Sequence, residues 1–268
     1  LNKLNGMFVF SIYDKKRKKI FIARDRAGEK PLFYYHHGNT FYFSSELKAL
    51  MLNNELPKKI NKVAFECFLY MGFIPGDLCI LKNYNKLKPG HYLEYNLNNA
   101  KIKINRYWTL PQSSILNINN TDIQHLQNRL EMLLDDAVKK QLVSDVPLGV
   151  LLSGGLDSSL VSALVAKKLA PQRIHTFSIG MEGATDLKYA KMVADHINSI
   201  HHEVIVTKEE MLNAIPEVIY HIESWDETTV LASTPMYLLC KYIQEETDIK
   251  VVYTGEGADE LSGSYMYF

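Results

Sequence analysis

The stretch that most constrains this chain runs from Val146 to Leu169. An apolar, strand-like run, Val146–Leu152, ends in Ser153-Gly154-Gly155-Leu156-Asp157-Ser158-Ser159, and a run with helical spacing of apolar residues, Leu160–Leu169, follows. That is strand, tight turn and helix. Two glycines let the backbone turn sharply and come close to a ligand. The amides that open the helix have no carbonyl to bond within it, and together with the helix dipole they attract anions. Ser153, Ser158 and Ser159 add hydroxyl donors. Asp157 would repel a phosphate, and makes sense if a divalent cation lies between them. The loop is not the G-x-x-x-x-G-K-[ST] phosphate loop, because no lysine follows the glycines. The plain alternative is a strand–turn–helix whose Asp157 and Ser158 merely cap the helix.

The second part of the chain repeats the alternation. Strands are expected at Val146–Leu152, Ile174–Ile179, Val204–Val206 and Lys250–Thr254. Helices are expected at Asp157–Leu169, Asp186–Ile197, Glu209–Ile222 (interrupted or offset near Pro216) and Thr234–Glu246. This spacing predicts an α/β fold of right-handed βαβ units, a parallel sheet with helices on both faces. Ligands collect beyond the C-terminal ends of such strands. Three segments fall there: Ser153–Ser159, Ile179–Gly180 and Gly255–Glu260. In Gly255-Glu256-Gly257-Ala258-Asp259-Glu260 the glycines admit a ligand close to the backbone, and Asp259 can join Asp157 in holding Mg²⁺, which takes oxygen ligands. The alternative for the acidic trio is a polar surface loop.

The first part reads as strands: a hairpin from Met7–Tyr13 to Ile20–Ala23 with a basic tip at residues 14–19, and a second from Lys30–Tyr35 to Thr40–Ser44. His36 and His37 read as turn residues. Helical pieces are expected at Glu46–Leu52 and Val63–Met71, the latter with Val63, Phe65, Phe68 and Leu69 on its apolar side. Turns at Pro75–Asp77 and Leu87–His91 and strands at Tyr92–Asn96 and Lys101–Trp108 follow. Residues 111–120 are Asn- and Ser-rich and aperiodic, which marks a linker. Thr121 and Gln124 fit a capping box. Leu126, Leu130, Leu133, Leu134, Ala137, Val138 and Leu142 then form a stripe expected to face a core. The partition is 1–110, linker 111–120, and 121–268.

The 268 residues carry 30 basic and 30 acidic side chains, a balance that argues against nucleic acid as the main partner. No run approaches the ~18 uncharged apolar residues of a membrane span, and no signal-peptide pattern opens the chain. Cys67, Cys79 and Cys240 lack metal-ligand spacing and suit buried thiols in a reducing, cytoplasmic setting.

Ser153–Ser159 resembles the pyrophosphate loop of the N-type ATP pyrophosphatases, which cleave ATP between its α- and β-phosphates and adenylate an acceptor. Within that group, Val150–Ser159 together with Thr254-Gly-Glu-Gly-Ala-Asp-Glu260 is similar to glutamine-hydrolysing asparagine synthetase. Asn5-Gly-Met-Phe8, Arg24-Asp-Arg26 with Gly28, and Ser44–Leu50 match that family's N-terminal-nucleophile glutaminase domain. The resemblance implies a partial α+β glutaminase domain ahead of a PP-loop ATPase-type synthetase domain. It implies ATP and Mg²⁺ as cofactors, with Asp157 and Asp259 on the metal. Leu151, Ser153, Gly154, Gly155, Leu156, Asp157, Ser158, Ser159, Ile179, Thr254 and Gly255 would contact the nucleotide, and Glu256 and Asp259 would be catalytic. Asp186, Thr228, Ser233 and Thr234 would shape the substrate pocket; a helix N-cap is the alternative for Asp186. His201-His202-Glu203 matches a strand start and is structural.

The implied reaction converts aspartate to asparagine through β-aspartyl-AMP, with ammonia from glutamine and release of AMP and pyrophosphate. The resemblance also admits a homodimer. Two departures matter. The family's glutaminase uses an N-terminal cysteine with its own amine as base, but residue one is Leu1, so no glutaminase catalytic residue is assigned; the expectation is a fragment, with use of free ammonia as the alternative. Leu231 stands where the family usually has Arg, removing a fork that could clamp phosphate or carboxylate. This keeps open an amidotransferase acting on another carboxylate in polysaccharide or secondary-metabolite synthesis, and, further off, a non-catalytic nucleotide-binding protein.

Overall fold

The computed structural model describes residues 1–111 and 123–263. Most of the expected linker, Thr121 of the capping box and residues 264–268 lie outside the described residues. The chain divides into two compact units, Leu1–Ile115 and Leu116–Phe268.

In the first unit the elements are β1 (Val9–Asp14), β2 (Lys19–Arg24), β3 (Phe33–His37), β4 (Thr40–Ser44), α1 (Leu47–Met51), α2 (Lys62–Met71), β5 (Tyr84–Lys86), β6 (His91–Asn96) and β7 (Lys101–Arg106). They form two antiparallel sheets, ordered β1-β2-β6-β7 and β4-β3-β5. Alternation along β3 assigns its side chains to two cores. Tyr34 joins Ile22, Leu32, Leu87, Leu93 and Tyr95 between the sheets, while Tyr35 joins Tyr84, Cys79 and Leu81 under Leu47 and Leu50 of α1. The Arg24–Gly28 loop is built around a buried carboxylate. Asp25 accepts from the amides of Gly28 (2.6 Å), Glu29 (2.9 Å), Lys30 (3.0 Å) and Phe8 (3.3 Å), and Arg24 donates to the carbonyls of Lys30, Leu87 and Gly28.

Several expectations need correction here. His36 and His37 end β3, and the turn itself is Gly38-Asn39. The three-residue β5 was not expected, because so short a run shows no alternation. Val63, Phe65 and Leu69 are exposed and Phe68 half-buried; α2 buries Ala64. Helical spacing gathers side chains on one face without fixing what that face meets. Among the thiols Cys79 is buried, Cys67 half-buried and Cys240 exposed, so the expectation of buried thiols holds for one of the three.

The second unit contains α3 (Ile123–Gln141), β8 (Leu148–Leu151), α4 (Leu156–Leu169), β9 (His175–Gly180), α5 (Thr185–His196), β10 (Ile200–Ile205), α6 (Lys208–Ile222), α7 (Glu227–Glu246), β11 (Val251–Tyr253) and α8 (Ala258–Ser262). Its sheet, ordered β10-β9-β8-β11, is parallel throughout. Both faces are covered. Val150 packs with Val138, Val165 and Ile174 beneath α3 and α4, and Leu151, the next residue, packs with Phe177, Leu239 and Ile243 beneath α7.

Three helices differ from expectation. α6 runs unbroken through Pro216, its Thr207–Glu210 capping box and the buried Ala214 and Val218 outweighing the one lost hydrogen bond. α7 starts seven residues before Thr234, where Asp226 accepts from the Thr229 amide at 2.8 Å, and it continues past Pro235. Its Thr-rich first turns and internal proline hide a helix that contacts with α6 and β9 hold in place. The α3 stripe meets the core at Val138 and Leu142; Leu134 is half-buried, and Leu126, Leu130, Leu133 and Ala137 are exposed.

Candidate functional site at the carboxyl end of the parallel sheet

The strand order decides where a crevice can open. From β8 the chain proceeds outward to β9 and β10, then returns to β11 on the other side of β8. The order therefore reverses between β8 and β11, and open parallel sheets bind ligands at such a reversal. The loops after these two strands enclose a cleft of about 330 Å³, lined by Leu151, Ser153, Gly155, Asp157 and Ser158 from one and by Thr254, Gly255, Glu256, Gly257, Asp259 and Glu260 from the other, with Met236 of α7.

The first loop is bonded to itself. The Ser158 hydroxyl donates to the Gly155 carbonyl (3.2 Å), and the Ser159 hydroxyl donates to the same carbonyl (2.6 Å). Ser153 Oγ lies 2.9 Å from Ser158 Oγ and accepts from the Gly155 amide at 3.3 Å. Either hydroxyl can be the donor in that pair. The serine hydroxyls thus bond one another and the Gly155 carbonyl within the loop, and the first-turn amides remain as donors for a ligand. Gly155 is the N-cap of α4 and offers no side-chain cap. The amides of Leu156, Asp157 and Ser158 belong to the first turn, where no intrahelical carbonyl is available. Asp157 and Ser158 are thus helical residues and do not cap α4 from outside it.

The glycines divide the work. At Gly154, φ is +82° and an added Cβ would fall 2.5 Å from the Ala190 amide nitrogen, so this glycine seats the loop on α5. At Gly255 an added Cβ would fall 2.9 Å from the Ser158 nitrogen and 3.2 Å from Asp157 Cβ; its missing side chain lets the two loops meet. At Gly155 the nearest atom would be Ser153 Oγ at 3.4 Å, an ordinary contact.

Other residues singled out in the sequence lie elsewhere. Gly154, Leu156, Ser159 and Ile179 are not part of the cleft lining; Leu156 is 82% exposed, and Ile179 packs in the core with Leu151 and Phe177. Asp186 is exposed in the first turn of α5, whose N-cap is Ala184. Thr228 is exposed beside Asp226, Ser233 is half-buried, and Thr234 is buried with its hydroxyl donating to the Val230 carbonyl (2.7 Å). None of these four lines the cleft, nor does Leu231, which is 61% exposed on α7. Gly257, expected with Gly255 to admit a ligand close to the backbone, lines it as well, while Glu260 and Met236 line it without having been picked out individually. Met236 could not be, since nothing in the sequence places a residue of α7 against loops after β8 and β11.

His201 accepts or donates to Thr176 Oγ1 (3.0 Å) and Ser178 Oγ (3.2 Å), and burial lowers its pKa. His202 bonds His175 at 2.9 Å and stacks on Phe177. Among the described residues no group of three or more His, Cys, Asp or Glu could hold a metal ion, and no helix is long and apolar enough to cross a membrane. Mg²⁺ needs no such group. It is commonly held by one or two carboxylates plus phosphate oxygens, and Asp157 and Asp259, both half-buried in one cleft, fit that pattern.

Fold and cleft together define an α/β unit with its ligand crevice at the switch point of a parallel sheet, following a two-sheet α+β unit. The asparagine synthase family profile matches residues 129–268, and the glutamine amidotransferase domain profile matches residues 1–108. The chain belongs to the asparagine synthase family. It is 38% identical over 283 residues to asparagine synthetase B [glutamine-hydrolyzing] of Escherichia coli (strain K12), covering 100% of this chain and 45% of that protein. It is 38% identical over 278 residues to the Homo sapiens asparagine synthetase [glutamine-hydrolyzing], covering 99% and 46%. The chain spans about half the length of the curated relatives it matches. Among solved structures, the NH3-dependent NAD synthetase of Campylobacter jejuni is similar at 18% identity and a TM-score of 0.35, covering 54% of this chain and 62% of that one; so loose a match carries no weight.

Proposed function

We propose that this chain is the ATP-binding part, joined to part of the glutamine amidotransferase domain, of an ATP-dependent amide-forming ligase that converts aspartate to asparagine. The observation that carries the reading is the convergence of the Ser153–Ser158 and Thr254–Glu260 loops on one cleft in a member of this family. In the proposed reaction the β-carboxylate of aspartate attacks the α-phosphorus of ATP, pyrophosphate leaves, and ammonia displaces AMP from β-aspartyl-AMP. The first-turn amides of α4 hold the departing pyrophosphate, where developing negative charge meets donors already aimed at it. The self-bonded serines keep that turn in shape before ligand arrives. Thr254 and Gly255 lie against the nucleotide, and Glu256 faces the acyl-adenylate, positioned to orient ammonia or take its proton. Asp157 and Asp259 would hold Mg²⁺, which when bound would offset charge on the phosphate oxygens.

The test is aspartate-dependent ATP–pyrophosphate exchange by the protein that carries this chain. Exchange that requires aspartate and falls at least ~100-fold in Asp157→Ala supports the proposal. Exchange with a different carboxylate but not with aspartate assigns another acceptor, and absence of exchange with any carboxylate refutes adenylation.

A further inference from the structure

A second cavity lies wholly within the first unit. It measures about 600 Å³, and Lys59, Lys62 and Lys82 line it together with Asn61, Asn83 and Asn85; no aspartate or glutamate is among its described lining residues. The backbone forces the lysines together. Ile60 and Leu81 form an isolated antiparallel bridge, and the Lys82 amide donates to the Lys59 carbonyl at 2.8 Å, so two ammonium-bearing residues sit side by side. Lys62 is the first residue of α2, whose first turn holds no acidic residue.

Both placements are unfavourable in isolation. Like charges across a bridge repel, and a cation at a helix N-terminus opposes the dipole. Lys59, Lys62 and Lys82 are exposed at the cavity rim, and among the described residues none of the three forms an ion pair with a carboxylate, unlike Lys19, Lys48 and Lys88 but like several other lysines of the unit. The remaining lining is donor-rich. Asn61 uses its carbonyl oxygen to cap the Ala64 amide, which leaves its NH₂ uncommitted to the cap. Tyr84, 1% exposed, forms the cavity's floor, its ring packed edge-on against Tyr35 in the core.

An anion would turn each of these repulsions into an attraction. The geometry points to a binding site for a small, multiply charged phosphate compound, one carrying two or more phosphate groups. Lysine ammoniums recognise phosphate as point charges. The concavity has the volume of a small-molecule site, and the chain's equal numbers of acidic and basic residues provide no extended positive field for a long polyanion. The site lies in the part matched by the glutamine amidotransferase profile, and it stands whether or not the cleft binds nucleotide.

The experiment is calorimetric titration of inorganic tripolyphosphate into the 268-residue chain at low salt with EDTA. Saturable binding is expected, weakened at least ~10-fold in the Lys59→Gln/Lys62→Gln/Lys82→Gln variant. The same number of changes at the basic hairpin tip, Lys15→Gln/Lys16→Gln/Lys18→Gln, should leave that binding within about twofold. Absence of saturable binding, retention of it in the triple variant, or an equal loss in the hairpin-tip variant each overturns the proposal. Should the triple variant not fold, Lys82→Gln alone decides: a loss of about threefold or more is expected, and unchanged affinity overturns the site.

Discussion

Replacing Gly154 with alanine should destabilise the second unit, while the same change at Gly155 should leave it nearly untouched. At Gly154 the backbone is left-handed, φ +82°, where a Cβ costs about 1–2 kcal/mol. The new methyl would also lie 2.5 Å from the Ala190 nitrogen and 2.7 Å from the Tyr189 carbonyl carbon, both backbone atoms of a packed helix. Relief means shifting the loop or α5, an overpacking cost of about 1–3 kcal/mol. The sum, roughly 2–5 kcal/mol, corresponds to a melting-temperature drop of about 5–15 °C for a unit of this size. At Gly155 φ is −71° and ψ 165°, open to any residue, and the nearest contact would be ordinary. There the gain from a stiffer unfolded chain, about 0.4–1 kcal/mol, is offset by alanine's poorer performance as an N-cap. Thermal unfolding followed by far-ultraviolet circular dichroism compares the two. A Gly154→Ala protein that melts within ~2 °C of the parent, or no lower than Gly155→Ala, refutes the assignment of Gly154 to packing.

Asp25→Ala should strip four backbone amides of their shared acceptor and cost at least about 3 kcal/mol, read as a lowered urea midpoint; Asp25→Asn should cost less, since it keeps one acceptor oxygen. Stability should also fall in mild acid. Burial lowers the His201 pKa, so below about pH 6.5 the unfolded chain takes up a proton that the folded chain resists. The contribution is fully present above the unfolded value and is lost as pH falls toward the folded one. Urea midpoints between about pH 7.5 and 5.5 should show the decline, and His201→Gln should flatten it.

What the sequence reveals here depends on whether a residue's constraint is local. Glycines and serines between an apolar run and a helical one carry their geometry with them, so the β8–α4 turn could be located to within a residue or two. Val150 and Leu151 could be placed in a buried strand for the same reason. The start of α7 could not, because threonines and Pro235 lower local helix propensity while packing on α6 and β9 sustains it. The stripes of α2 and α3 show the opposite limit. Their period is genuine, yet Val63, Phe65, Leu69, Leu126, Leu130 and Leu133 are exposed, because periodicity specifies a face and not its cover.

The cleft shows the same limit at the scale of topology. Alternation of strands and helices leaves three loops at the carboxyl end of a parallel sheet, and nothing local distinguishes the loop after β9 from the other two. Strand order makes the distinction. Because β8 has β9 on one side and β11 on the other, connections leave it in opposite directions, and their loops part above it. Gly255 then closes the gap from the far side, its missing Cβ admitting Ser158 and Asp157. Ile179 packs, half-buried, against the same cluster as Leu151 but is not in the cleft lining, because β9 lies on the side of β8 away from β11.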